Sequence, residues 1–332
     1  MFLLIFTSIL VFSQPVVANE VEINKESVGF QKLNGVYEPS GIIQLQDGRL
    51  LIIEDESSRA FVLLTPTQYP TKYDVDIVQT RSLLDKLLAD SSAEFNDLEG
   101  IVKGPLEFVY AISSHSRQDN GRRDSQREQL VRLTIHDNRI GKLSARGDLR
   151  DALVNKFPVL QQAADEREVK KNAGLNIEGL AFNRSGDTLW LGFRAPLVGD
   201  HAILIGLHNL HKVFESDAEF EFGENAQLLN LDGGGIRDIV FDTELDGYLI
   251  VSQRERTKNE KPFKLWLWSG LAKDSPRRIR IKGVKNLRRT EGVVPITIGH
   301  EKRLLLVSDE GDKKNQKNAK VLMVDYDDLQ LE

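Results

Sequence analysis

Five short segments of the chain carry a polar or ionisable residue at the same point of a recurring pattern. They are Pro39-Ser40-Gly41-Ile42, Leu98-Glu99-Gly100-Ile101, Ile177-Glu178-Gly179-Leu180, Ile236-Arg237-Asp238-Ile239 and Thr290-Glu291-Gly292-Val293. Superimposed, they form a ring of Ser40, Glu99, Glu178, Arg237 and Glu291. A second set closes the apolar run that follows each opening: Glu56, His115, Arg194, Arg254 and Glu310, with Asp55 and Asp309 alongside. Carboxylates that converge repel one another and call for an arginine or a hard cation between them. Glu99, Glu178, Asp238, Glu291, Asp55 and Asp309 are therefore candidate ligands for Ca²⁺ or Mg²⁺. Arg194, Arg237 and Arg254 suit a phosphate or carboxylate held bidentately. With His115, Glu99 and Glu178 as candidate acid and base groups, such a site fits hydrolysis of an anionic ester, a metal-bound water being the nucleophile. The chain contains no GxSxG, P-loop, HExxH or GxGxxG, so no linear motif selects a reaction.

An architectural reading stands beside the chemical one. Glu-Gly recurs if the carboxylate accepts backbone amides of the adjacent repeat and the glycine lets chains approach. The departures favour chemistry, because Arg237-Asp238 and Ser40 break the repeat and the second set differs in every unit. Gly233-Gly234-Gly235 precedes no helix and reads as a tight turn. His201, His208 and His211 read as surface residues, and Trp190, Trp266 and Trp268 as core.

The elements that must carry these residues are strands. Each opening leads through a short apolar segment and a turn, such as Asp47-Gly48, Ser185-Gly186-Asp187 or Asp246-Gly247, into a β-rich run. A third alternating strand follows in every unit and a fourth in the first four. The last unit ends before its fourth strand, and Ser27 to Leu33 has the alternation to supply it. That arrangement is a single all-β propeller of five four-stranded blades closed by an N-terminal strand, or of six if an insertion hides a blade. The openings are spaced by 59, 79, 59 and 54 residues, against roughly 40 to 50 for a bare blade. The long interval holds insertions at 117–128, too charged to pack, and at 150–172, where Leu153, Phe157, Leu160 and Ala164 fall at helical spacing. Arg81 to Ala89 is a second helical segment. Both helices read as decorations at blade edges, with a lid as the other reading.

The chain has 332 residues, 40% hydrophobic and 28% charged, enough for a large core. Its 44 basic against 50 acidic residues, without a long basic run, argue against a nucleic-acid partner. The absence of cysteine excludes disulfides, thiolate metal sites and thiol nucleophiles. Residues 1–18 are an apolar stretch ending in Val16-Val17-Ala18, which reads as a secretory signal, an uncleaved anchor being the alternative. Residues 19–332 would then be a propeller domain, periplasmic or secreted, with no membrane contact after cleavage.

The set Glu38-Pro-Ser-Gly41, Asp97-Leu-Glu-Gly100, Ser113-Ser-His-Ser116, Asn176-Ile-Glu-Gly179, Gly192-Phe-Arg-Ala195 and Gly235-Ile-Arg-Asp238 resembles a bacterial family of exported proteins catalogued as domain of unknown function 3616. More distantly, the Asp-Leu-Glu-Gly opening is similar to phytase-like and esterase-like propellers and to calcium-binding lactonase propellers. The resemblance implies a propeller with a cleft and hints at hydrolysis. Two functions follow as expectations: a metal-assisted hydrolase of a small anionic ester or phosphoester, and a non-catalytic module binding an anionic ligand or partner protein.

Overall fold

A computed structural model describes residues 29–55, 61–68, 75–80, 95–136, 139–167, 174–254 and 263–332. The short strand β1 (Gln31–Leu33) precedes four successive antiparallel units. They are β2 (Pro39–Gln44), β3 (Leu50–Glu54), β4 (Phe61–Gln68) and β5 (Val75–Thr80); β6 (Leu98–Lys103), β7 (Phe108–Ser113), β8 (Leu130–His136) and β9 (Arg139–Arg146); β10 (Asn176–Phe182), β11 (Leu189–Val198), β12 (His201–Leu207) and β13 (Gln227–Asn230); and β14 (Gly235–Asp242), β15 (Gly247–Gln253), β16 (Phe263–Trp268) and β17 (Arg277–Ile281). A fifth unit holds β18 (Thr290–Ile298), β19 (Glu301–Ser308) and β20 (Ala319–Val324), and β1 pairs with β20 to complete it. The first strands β2, β6, β10, β14 and β18 are neighbours in a closed cycle. The fold is a five-bladed β-propeller.

Alternation explains why the sheets stack radially. In β3, Leu50 and Ile52 join the apolar cluster shared with blade five, while Leu51 and Ile53 join the one shared with blade two. In β7, Val109 and Ala111 face blade one, and Tyr110 and Ile112 face blade three. Both faces of a blade are buried, so its strands read as continuous apolar runs. Trp190, Trp266 and Trp268 lie in or against the cluster between blades three and four.

The final strand β21 (Leu329–Leu331) adds a fifth strand to blade four by pairing with β17, which the repeat count did not anticipate. The helical insertion is two short helices, α1 (Leu149–Lys156) and α2 (Gln161–Asp165), separated at Pro158, whose missing N–H interrupts the helix. Leu153, Phe157, Leu160 and Ala164 extend the core between blades two and three. A third helix, α3 (Leu210–Glu215), had no counterpart in the sequence reading. The 117–128 loop packs after all, because its charges pair. Arg123 binds Glu128 at 2.6 Å and Asp151 at 3.0 Å, and Arg117 donates to the Ala164 carbonyl at 3.0 Å. The expected signal segment and the 81–89 helix lie outside the described residues. Among the described residues no helix is long and apolar enough to cross a membrane.

Candidate active site

Every innermost strand slips register at the same point, between Pro39 and Gly41, Leu98 and Gly100, Ile177 and Gly179, Ile236 and Asp238, and Thr290 and Gly292. The skipped residues are Ser40, Glu99, Glu178, Arg237 and Glu291, the ring read from the sequence. A β-bulge inserts one unpaired residue and re-aims its side chain, so five bulges present these residues at one end of the channel. The following position is where blades crowd. A Cβ on Gly100 would lie 2.5 Å from the Glu178 carbonyl oxygen, and one on Gly179 would lie 2.7 Å from Ile236 Cγ2. The recurrence of glycine is thus architectural.

In blade four that position is Asp238. Its Oδ1 accepts from Ile239 N at 2.8 Å and its Oδ2 from Val293 N of blade five at 2.7 Å. Burial pushes its carboxyl up to about 7, against those two amides. Ser40 likewise joins blades, donating its hydroxyl to the Leu98 carbonyl.

The three glutamates gather around Arg237. Glu178 Oε1 accepts from Arg237 Nη1 at 2.8 Å, Arg194 Nη1 at 3.0 Å and Asn176 Nδ2 at 3.0 Å. The other arm of Arg237 pairs with Glu291 Oε1. Burial opposes the Arg237 charge, and the Glu178, Glu291 and Glu99 carboxylates outweigh it. Burial pushes the Glu99 carboxyl well above its ordinary range, with Glu178 and Asp97 adding to the effect. Burial raises Glu291 to about 7, partly offset by Arg237. One buried arginine therefore stands beside two carboxyls that burial raises above their ordinary range, and perturbed groups of this kind cluster at catalytic sites.

Above this layer lies a cavity of about 470 Å³, lined by Glu38, Asp55, Glu99, Arg194, Arg237, Gln253, Phe263, Arg289, Glu291 and Asp309. Two cations reach solvent there: the Arg194 side chain is 41% exposed and that of Arg289 is 55% exposed. Arg289 Nη2 pairs with Asp309 Oδ2 at 2.9 Å. Desolvation raises the Asp55 carboxyl to about 6, with Asp97 and Asp309 adding repulsion and Arg127 opposing. Arg127 in turn binds Asp97 at 3.2 Å.

Six sequence-derived candidates, Glu99, Glu291, Asp55, Asp309, Arg194 and Arg237, line this one cavity, and Glu178 lies beneath it on two of its arginines. Three do not line it. Leu98 pairs with Ser113 and the next residue, Ser114, donates to Asp97, so the second ring runs through Asp55, Ser114, Arg194, Gln253 and Asp309. A shift of one residue turns a side chain to the opposite side. His115 is accordingly buried away from the cleft, both ring nitrogens without a hydrogen bond, and burial with Arg150 and Arg123 lowers its pKa to about 3. Arg254 lies against Gly233 and Asp232, and Asp238 is held by the two amides. Glu310 pairs with Arg288 and Lys320, and Glu56 falls outside the described residues. His201, His208 and His211 are exposed.

Sequence reasoning passed over Glu38, Asp97, Asn176 and Arg289. Each stands two residues before the bulge in its strand, one position ahead of the repeated opening. Gln253 and Phe263 carried no such mark.

Among the described residues no group of three or more His, Asp or Glu side chains is arranged to hold a metal ion. The central donors fit a guanidinium instead: Glu178 and Glu291 bind Arg237, and Asp238 binds amides. At the mouth, Asp309 binds Arg289.

Solved structures similar to this chain include a putative oxidoreductase (glucose dehydrogenase) from Thermus thermophilus, with 13% identity, 89% and 100% of the two chains covered and a TM-score of 0.42. An AA12 carbohydrate-active enzyme of Trichoderma reesei has 10% identity, 94% and 99% coverage and a TM-score of 0.42. A GH43 β-1,3-galactosidase with galactodeoxynojirimycin has 8% identity, 95% and 98% coverage and a TM-score of 0.47. Likenesses this distant carry no argument about function. No curated protein matches. The family model that matches is the phytase-like one, described as esterase-like activity of phytase, over residues 34–265. That span, more than half of the chain and covering four of the five bulged openings, shows that the chain belongs to the phytase-like family.

Proposed function

We propose that the chain hydrolyses a small anionic ester or phosphoester in the axial cleft. The observation that carries this reading is the cavity that sets solvent-reaching Arg194 and Arg289 beside Glu99 and Glu291, two carboxyls that burial raises above their ordinary range. Arg194 and Arg289 hold the anionic group of the substrate. Glu291, once ionised, takes a proton from water as the water oxygen bonds to the carbonyl carbon or phosphorus. Glu99 gives its proton to the leaving alcohol oxygen as the ester bond breaks, and exchange with solvent restores both groups. The family description names the same class of reaction.

The test is turnover of p-nitrophenyl phosphate and mono-p-nitrophenyl succinate between about pH 5 and pH 9, in EDTA and with added Ca²⁺ or Mg²⁺. Turnover should rise through about pH 7 as Glu291 ionises. Glu99→Gln should lower kcat by about 10²–10⁴-fold, and Arg194→Ala should act mainly on KM. Absence of turnover under every condition, or turnover indifferent to Glu99→Gln, overturns the reading. Anion binding that depends on Arg194 without turnover would instead make the cleft a binding site.

A further inference from the structure

Positive charge is concentrated in one sector of this acidic chain. Residues 277–289, RRIRIKGVKNLRR, contain seven Lys or Arg and no acid, and residues 313–320, KKNQKNAK, add four lysines. Uncharged residues interrupt both stretches, so neither forms a run in the sequence. The fold joins them. The connection from β17 to β18 crosses from the fourth strand of blade four to the innermost strand of blade five. The connection from β19 to β20 lies beside it, with Asp309 N donating to the Arg289 carbonyl at 2.9 Å. Lys282, Lys285, Arg288 and Arg289 are exposed along the first connection, and Lys314 and Lys317 along the second.

Several acids temper this sector. Glu310 binds Arg288 at 2.9 Å and Lys320 at 3.3 Å, Asp309 binds Arg289, Glu332 binds Arg280, and Asp312 accepts from Asn315 within its own loop. Eleven cations still outnumber the carboxylates named here, with Asp232 acting on Arg278 and Asp328 beside Lys282 counted in, in a chain whose net charge is -6. The track also has a direction, because its inner end, Arg289, lines the cleft.

We propose that this basic spoke docks the anionic remainder of an extended substrate, a linear polymer bearing phosphate or carboxylate groups, whose reacting end lies in the cleft. The inference rests on the hydrolytic reading for the word substrate, while the docking itself does not. A track leading from the rim into a concavity fits a chain better than a flat surface such as a membrane. Backbone-type polyanion binding releases counterions and weakens steeply with salt, and a one-signed approach to a cleft also speeds encounter.

The experiment is binding of fluorescent-labelled inorganic polyphosphate and of polygalacturonate to the full chain at several salt concentrations, with no reading of turnover. Two variants are compared: Lys282→Gln/Lys285→Gln/Lys314→Gln/Lys317→Gln on the spoke and Lys103→Gln/Lys142→Gln/Lys156→Gln/Lys212→Gln elsewhere, which make the same change in net charge. The spoke variant should lose about 10-fold or more in affinity and flatten the salt slope by about 3. The other variant should behave as the parent, and the stronger of the two probes identifies phosphate or carboxylate as the preferred group. No salt-dependent binding to either polymer, an equal loss in both variants, or binding to phosphatidylglycerol vesicles in place of the polymers overturns the proposal. Failure of ester turnover leaves this measurement standing, so the two readings fail separately.

Discussion

Arg237 organises the candidate site. Its two arms hold Glu178 and Glu291, and all three groups are buried. Removing one partner of a buried ion pair strands the other, which typically costs about 3–5 kcal/mol. The same burial makes Glu291 a pH-sensitive group. Its carboxyl is pushed from 4.5 up to about 7 by burial, in a setting of Arg237, Asp309, Glu178 and Arg194. A carboxyl that holds its proton more tightly in the folded state favours folding at low pH, and that contribution is lost as pH rises through the window between the two values. Stability should therefore fall between about pH 4.5 and about pH 7, and Glu291→Gln should remove part of that fall while keeping an acceptor for Arg237. Urea midpoints across the window test this, and equal slopes in parent and variant would refute it. Much of this layer was legible, since Glu99, Glu178, Arg237 and Glu291 recur at one motif position. The raised proton affinity of Glu99 and Glu291 was not, because it depends on their burial and on the charges that face them across blades.

The elements turn a motif into a site through bulges and close crossings. Five inner strands carry the same register slip, and the residue after it must be small or bind backbone, as Asp238 does. Gly235, at the head of β14, is a close crossing beside the cleft: a Cβ there would lie 1.9 Å from the Arg194 carbonyl oxygen. Overpacking costs about 1–3 kcal/mol when side chains can yield, and backbone yields less. Gly235→Ala should therefore destabilise by about 2 kcal/mol or more and weaken anion binding by displacing Arg194. Gly147→Ala, whose Cβ would come nearest the flexible Gln129 amide, at 3.3 Å, should stay within about 0.5 kcal/mol. Chemical denaturation of both variants checks the contrast, and equal effects would remove Gly235 as the element that places Arg194. The second ring was misread by one residue because strand ends do not show in sequence which residue is last in register. That slip exchanged Ser114 for His115 and Gln253 for Arg254.

The whole molecule closes at its N-terminal side and is reinforced at its C-terminal side. β1 pairs with β20 over Gln31 to Leu33, and Gly35 N donates to Asn318 Oδ1 at 2.9 Å. Without it β20 would present a free edge, which invites pairing with another chain. β21 extends a blade that already has four strands. Removing residues up to Asn34 should lower the melting temperature and produce concentration-dependent association, whereas removing 329–332 should leave a monodisperse fold with a smaller shift. Thermal melts with size-exclusion chromatography distinguish them, and the reverse order of effects would show that β21 is the closing strand.

Repetition of one opening, the alternation within each run and the shortfall of the last unit determine a propeller closed by an N-terminal strand, with five blades or six, and the structure decides for five. They do so because local periodicity is written residue by residue. The identity of the central glutamates and arginine follows from the same repetition. Which carboxyls burial raises, which member of each strand end faces the axis, and how two interrupted basic stretches merge into one track are decided by tertiary structure. Each depends on distances between blades, and no single repeat contains them.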